Sequence, residues 1–198
     1  MDADLSESVS ALKRVFQERF IPANFVAGDP TLLEALSRAL PLPDRYLAFL
    51  KGADPVDVET ATPPERVRMI PAAELEMEQI GYSRGDAQNP ATKGWHPGWL
   101  VIAHSALLGD PYFLDTTRPD AEGDCPVMTA MSGAGLNPIL CASNFVCFIK
   151  ILTAAMELAS DFSDESHDPD DEFIFREALG SRIKVIDHAA LRDKHWTT

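Results

Sequence analysis

The stretch WLVIAHSALLGDPYFLD, residues 99–115, decides the fold. Residues 99–103 are apolar throughout, turn-forming Gly109-Asp110-Pro111 follows, and residues 112–114 make a second β-like run. Two further short runs come at residues 127–131 and 136–141. Strands this close in sequence favour an antiparallel meander. Residues 99–103 are the best candidate for a central strand covered on both faces, but a buried helix segment produces the same apolar run.

Helix signals precede this region. Residues 5–20 carry apolar side chains at helical spacing, which predicts an amphipathic helix at the start of the chain. Asp29 before Pro30 is typical of a second helix, because the carboxylate accepts from the first amides and proline suits the first helical position. A third helix is expected to start at Pro43 and end near Gly52.

The middle of the chain is interrupted by prolines. Residues 67–70 predict a short strand and residues 72–80 a helix. Residues 81–97 are rich in Gly, Asn and Pro and are interpreted as an exposed loop.

The last third begins with the strongest helix pattern, capped by Ser143. Its apolar face comprises Phe145, Phe148, Ile149, Leu152, Met156 and Ala159, and should lie on the sheet. Beyond it we expect a helix at 172–179, a short apolar run at 183–186, and a final helix capped by Asp187 that continues through Trp196.

Charge and cysteine usage restrict the class of partner and the compartment. The chain has 198 residues with 31 acidic and 17 basic side chains, a net charge of −14 and a pI near 4.6. The electrostatic field of a protein with this net negative charge repels nucleic acids and anionic membranes, so neither is expected as a partner. The three cysteines form no CxxC pair, the first residues lack a secretory pattern, and no apolar run is long enough to span a bilayer. We therefore expect a cytoplasmic protein.

Catalytic and metal motifs are incomplete. Ser132 lacks the preceding glycine of a nucleophile elbow, and residues 133–138 put a proline where a dinucleotide fingerprint needs its third glycine. The five histidines lack zinc-ligand spacing, and the carboxylates of residues 110–124 lack the calcium-loop pattern. No cofactor, metal or catalytic residue is predicted. A hydrolase or metal enzyme would instead require His104 to meet Asp110 or Asp115.

The densest charge lies between Lys150 and Arg176, where eight carboxylates occur without a basic residue. This run is either a solvated face or a surface that attracts a basic partner electrostatically and so accelerates their encounter. The candidate steering residues are Asp164, Glu165, Asp168, Asp170 and Asp171. Trp95 and Tyr112 are the candidate anchors, because aromatic side chains dominate binding hot spots. Trp99 is a further aromatic candidate, but it is expected in the core.

Four strings in order resemble one known family. They are residues 42–50 (LPDRYLAFL), 99–103 (WLVIA), 109–115 (GDPYFLD) and 142–149 (ASNFVCFI). Together they are similar to the SMI1/KNR4 family of the SUKH superfamily over residues 36–152. The family's frequent Asn-Gly after the first helix is replaced here by Lys51-Gly52-Ala53, and residues 81–97 and the tail beyond Phe162 have no counterpart.

This resemblance implies an α+β fold in one domain, with a mostly antiparallel sheet flanked by helices and no known catalytic constellation. Residues 1–35 would pack as N-terminal helices on a family-like core at 36–160, with an acidic loop and C-terminal elaboration at 161–198. Bacterial members resemble immunity proteins that neutralise polymorphic toxins, and fungal members are linked to cell-wall synthesis and signalling. We expect a non-enzymatic module that binds a basic, nuclease-like toxin; a regulatory scaffold is the alternative.

Overall fold

The computed structural model describes residues 1–130, 136–162 and 169–198, and in these ranges it contains seven strands and five helices. The helices are α1 (Ala3–Glu18), α2 (Pro30–Ala39), α3 (Asp44–Ala53), α4 (Phe145–Leu158) and α5 (Pro169–Ile186). The strands are β1 (Asn24–Val26), β2 (Asp54–Val56), β3 (Val67–Met69), β4 (Trp99–Ser105), β5 (Pro111–Asp115), β6 (Val127–Thr129) and β7 (Ile139–Ala142). Short 3-10 turns lie at Met77–Gln79, Ala159–Asp161 and His188–Leu191.

Strands β3 to β7 form one antiparallel sheet, in which each strand pairs with the next along the chain. The predicted meander and the α+β class are confirmed, and residues 99–103 form a strand rather than a buried helix. The middle strand is β5, which is buried at every position, and β4 lies beside it. Strands β1 and β2 pair separately as a small antiparallel sheet.

One face of the sheet is covered by α4, as its apolar pattern predicts. The Phe148 ring of this helix lies 5.5 Å from the Tyr112 ring of β5. Helices α1 and α5 in turn pack on α4. The prediction that Ser143 caps α4 is wrong by one residue, because Asn144 accepts from the Cys147 N–H at 2.8 Å.

The N-terminal helices start close to where the sequence places them. The Asp29 carboxylate accepts from the Thr31 N–H at 2.7 Å and Pro30 is the first residue of α2, as expected. Pro43 precedes α3 as its N-cap instead of beginning it, and Gly52 lies inside the last turn. The helix therefore begins one residue later than predicted, and its C-cap is Asp54, two residues beyond Gly52.

The helix predicted at 72–80 is wrong: this segment forms turns and a short 3-10 helix. Gln79 explains the difference, because its buried amide donates to the Val101 carbonyl at 3.0 Å and accepts from the Val101 N–H at 3.0 Å. The side chain thus extends the hydrogen bonding of β4 beyond the end of β3. A regular helix would turn the Gln79 side chain away from Val101. The long-range bonds to β4 therefore override the local helix pattern of residues 72–80.

The second face of the sheet is covered in part by the segment 81–97. Most of that segment is exposed or half-buried, as predicted, but Trp95 is buried. Its ring centroid lies 4.7 Å from that of Phe113 on β5 and 5.5 Å from that of Trp99 on β4. The loop therefore contributes a buried aromatic side chain to the core on this face of the sheet.

The C-terminal region differs most from expectation. Helix α5 runs unbroken from Pro169 to Ile186, so the predicted helix at 172–179 and the separate apolar run at 183–186 are one element. Asp187 caps only the short turn His188–Leu191. The predicted final helix through Trp196 is wrong.

The tail after α5 covers β7, the edge strand of the sheet. Asp193 accepts from the Leu140 N–H at 2.8 Å, and the Trp196 indole N–H donates to the Cys141 carbonyl at 2.8 Å. These bonds occupy edge groups that would otherwise face water. Trp196 joins the same hydrophobic core as α1 and the sheet. Among the helices described, none has the length and apolarity needed to cross a bilayer.

Candidate functional site

Helix α5 carries apolar side chains on two faces. Phe175, Leu179 and Ile183 are buried against the protein, and their spacing of four residues explains why. On the outward side, Phe173 is 69% and Ile174 is 53% exposed. Adjacent exposed apolar side chains of this size are typical of binding surfaces.

The same end of α5 is acidic. Its first turn contains Asp170, Asp171 and Glu172. Asp170 is exposed and Asp171 is half-buried, while Glu172 pairs with Arg176 at 2.9 Å. The other candidate steering residues, Asp164, Glu165 and Asp168, lie outside the described residues. Carboxylates and exposed apolar side chains thus adjoin at the start of α5, a surface called here the α5 face (Asp170, Asp171, Phe173 and Ile174).

A shallow groove of about 410 Å³ adjoins the α5 face. Phe173 forms one wall and Thr197 of the tail another. Gly180 also lines the groove, and because it has no side chain the tail approaches the helix closely there. A groove therefore lies beside the α5 face, and a partner's side chain can insert into it.

Neither predicted aromatic anchor is on the surface. Trp95 is 9% exposed and Tyr112 is 1% exposed, so both belong to the core. Trp99 is half-buried beside Trp95. Trp95 is buried because its loop packs the ring against Phe113 and Trp99, and Tyr112 is buried because it belongs to the central strand β5. The prediction of Trp95 and Tyr112 as partner-binding residues is corrected accordingly, because a partner cannot reach them in this fold.

Sequence reasoning missed Phe173 and Ile174, yet the sequence contained a signal. Phe173, Ile174 and Phe175 are consecutive, and successive helical side chains diverge by about 100°. Three of them span about 200°, so one helix cannot bury all three against a single neighbour. Once this segment is known to be helical, at least one exposed apolar side chain follows.

A second feature is a cavity of about 250 Å³ between the inner side of α5, the sheet and the tail. Its apolar lining includes Ile139, Ala155, Phe175, Leu179 and Trp196. Its polar lining includes Glu65, Ser105, Asp110, Tyr112, Arg176, Asp193 and His195. The cavity is therefore amphipathic and is lined by strands β4 to β7, helices α4 and α5, and the tail.

A hydrogen-bonded chain crosses the polar side of this cavity. Glu65 accepts from the Ser105 hydroxyl at 2.9 Å, and the Tyr112 hydroxyl lies 3.4 Å from Glu65 Oε2 and 3.0 Å from His195 Nε2. Burial raises the pKa of Glu65. Burial, with the nearby Arg176 charge, lowers the pKa of His195 to about 4, so the imidazole is neutral near pH 7.

His104 is paired with Glu78, a carboxylate other than Asp110 and Asp115, the two that a hydrolase or metal enzyme would require. Its Nε2 lies 2.9 Å from Glu78 Oε2, and burial lowers its pKa. Asp115 pairs with Trp99 at the opposite end of the β4–β5 ladder and binds Arg118 at 2.6 Å. Asp110 lines the cavity, which His104 does not. Across the described ranges, no three His, Cys, Asp or Glu side chains are grouped to hold a metal ion.

The cysteines behave as small buried side chains. Cys125 and Cys141 are buried and Cys147 is half-buried, all as free thiols. Burial raises the pKa of both Cys125 and Cys147 to about 11. Protonated thiols are poor nucleophiles and poor metal ligands, so these positions have little redox or ligating capacity.

Comparison with known proteins adds no further constraint. The chain matches no family model, no curated protein and no solved structure.

Proposed function

We propose that this protein is a non-enzymatic binding module whose α5 face docks a basic protein. The observation that carries the proposal is the exposure of Phe173 and Ile174 directly after three carboxylates in the first turn of α5. Exposed apolar side chains supply the slow dissociation of a complex, and the carboxylates accelerate encounter and select the sign of the partner's charge.

Charge also argues against self-association through this face. A second copy would bring another molecule of net charge −14 against the same carboxylates, and that repulsion opposes contact. A cationic partner experiences the opposite field. The occupant is therefore a different, basic protein.

The resemblance to the SMI1/KNR4 family suggests which class of protein this partner belongs to. We propose a cytoplasmic immunity protein that neutralises a nuclease-like toxin. Nucleases carry basic surfaces to hold phosphate backbones, and such a surface complements the α5 face. A scaffold that regulates cell-wall synthesis or signalling is the alternative and would use the same docking surface.

The proposal predicts that a toxin-like domain is encoded beside this chain, and the test uses that domain, called here the neighbouring toxin domain. Co-expression of the two should restore growth to cells that the domain alone inhibits, and the purified pair should form a stable complex by calorimetry. Binding without protection would favour a scaffold over an immunity protein. Neither binding nor protection would reject the immunity proposal.

A further inference from the structure

The cavity beneath α5 has features of a ligand site that the docking proposal does not use. Its polar groups come from elements far apart in sequence: Glu65 precedes β3, Tyr112 is on β5, and His195 is in the tail. They converge within hydrogen-bonding distance of one another. Buried polar groups are costly to desolvate, and the hydrogen bonds among these groups hold them at the cavity wall, where a small ligand can contact them.

The fixed charges around the cavity favour one sign of ligand. Glu65, Asp110 and Asp193 line it, and Arg176 is the cation among the described lining residues. Arg176 is paired with Glu172 at 2.9 Å, as Asp193 is with Arg192 at 3.0 Å, so three carboxylates and one guanidinium line the wall. His195 is neutral near pH 7, because burial lowers its pKa to about 4. The balance of charge at the wall is negative, and it lies within a strongly acidic protein.

Size and aromatic content narrow the chemistry further. A volume of about 250 Å³ is about eight times the ~30 Å³ that a water molecule occupies in the liquid, which suits a molecule of about six heavy atoms. The Tyr112 and Trp196 rings both line the cavity and lie nearly parallel, 18° apart. These rings add apolar surface to the lining. Ile139 and Leu179 offer an apolar surface for a short hydrocarbon chain.

We propose that this cavity binds a small organic cation, a primary alkylammonium with a short apolar chain, with its ammonium group on Glu65 and its chain against Ile139 and Leu179. This site is separate from the α5 face, and it stands whether or not that face docks a toxin.

Pentylammonium is the probe, with pentanol and pentanoate as the neutral and anionic analogues of the same chain length. The reporter is the indole N–H resonance of Trp196 in a two-dimensional NMR titration of the full chain. Pentylammonium should shift this resonance saturably and bind about ten-fold or more tightly than either analogue. Equal affinity for pentanol, or no shift with pentylammonium, would overturn the proposal.

Two variants locate the ammonium group. Glu65→Gln should weaken pentylammonium about ten-fold while leaving pentanol unaffected, and Glu18→Gln on the exposed side of α1 should change neither. Should Glu65→Gln fail to fold, Arg176→Gln is the second variant, and its effect on pentylammonium affinity should be opposite. Loss of the nearby cation should tighten pentylammonium binding about three-fold. Unchanged binding in the folded variants would refute the assignment.

Discussion

Asp124 illustrates how one buried side chain joins distant segments. Its Oδ1 accepts from the N–H groups of Cys125 and Phe145 at 2.8 and 3.1 Å, and its Oδ2 accepts from Val146 at 3.2 Å. Arg45 of α3 lies 3.5 Å from the same carboxylate. Asp124 therefore fixes the start of α4 to both the loop before β6 and α3.

Asp124→Ala should destabilise the protein by about 3 kcal/mol, because it leaves buried N–H groups without an acceptor and removes one of the three carboxylates around Arg45. Urea unfolding at pH 7 measures the change. The control is Glu18→Gln, whose exposed ion pair with Arg14 should contribute less than about 0.5 kcal/mol. A loss below about 1 kcal/mol for Asp124→Ala would show that these bonds are not a main support of the fold.

His195 should make stability depend on pH in a defined window. The unfolded chain binds a proton near pH 6.5, whereas the folded protein resists protonation of this imidazole until about pH 4. The unfolded state thus holds more protons between these values, and stability falls as pH drops from 6.5 to 4, by up to about 3 kcal/mol. Glu65, with its raised pKa, acts in the opposite direction, so a difference between variants is required.

The measurement compares urea unfolding of the wild-type protein and His195→Gln from pH 7 to pH 4. The two free energies of unfolding should converge as the pH falls, because only the wild type incurs the cost of a buried imidazolium. Curves that stay parallel would mean that His195 titrates as it does in the unfolded chain.

Among single residues, local rules predict caps only where one candidate is available. Asp29 before Pro30 was predictable because nothing nearby competes for the cap. Ser143 and Asn144 are both good caps, and the choice is made by Asp187, which binds Ser143 from 44 positions away. A local sequence pattern cannot predict a contact between residues so far apart in the chain.

At the scale of elements, the meander was predictable because its strands and turns are local, and the α5 region was not. Gly180 suggests a helix end, yet in the folded protein it lies inside α5, where a Cβ would meet Thr197 at 2.9 Å. Packing of the tail against the helix therefore compensates the low helix propensity of glycine. Asp170 and Asp171 of the candidate site were predicted from charge, whereas Phe173 and Ile174 required the helix register.

The tail behaves as a cover for the edge strand β7, so its removal has a specific consequence. Trp196→Ala should cost about 3 to 5 kcal/mol through lost packing and the lost bond to Cys141. It should also promote self-association through the exposed β7 edge, visible by size-exclusion chromatography. Lys184→Ala, at an exposed position in the last turn of α5, is the control. A monomeric Trp196→Ala protein of wild-type stability would contradict the assigned role.

For the whole molecule, a net charge of −14 predicts steered association with a basic partner. Asp170→Asn combined with Asp171→Asn should lower the association rate with the neighbouring toxin domain about three-fold at low salt and leave dissociation nearly unchanged. Stopped-flow kinetics at several salt concentrations measure both. The matched control, Glu7→Gln with Glu18→Gln on α1, removes the same charge from another surface. Equal effects of the two pairs would show that only net charge matters.

The most direct test concerns the apolar part of the α5 face. Calorimetry with the neighbouring toxin domain should show that Phe173→Ala combined with Ile174→Ala weakens binding about a hundred-fold, since central anchors each contribute about 1 to 2 kcal/mol or more. Met77→Ala, which truncates a side chain 68% exposed outside α5, should bind like the wild type. Wild-type affinity of the folded Phe173/Ile174 double variant would contradict docking through α5.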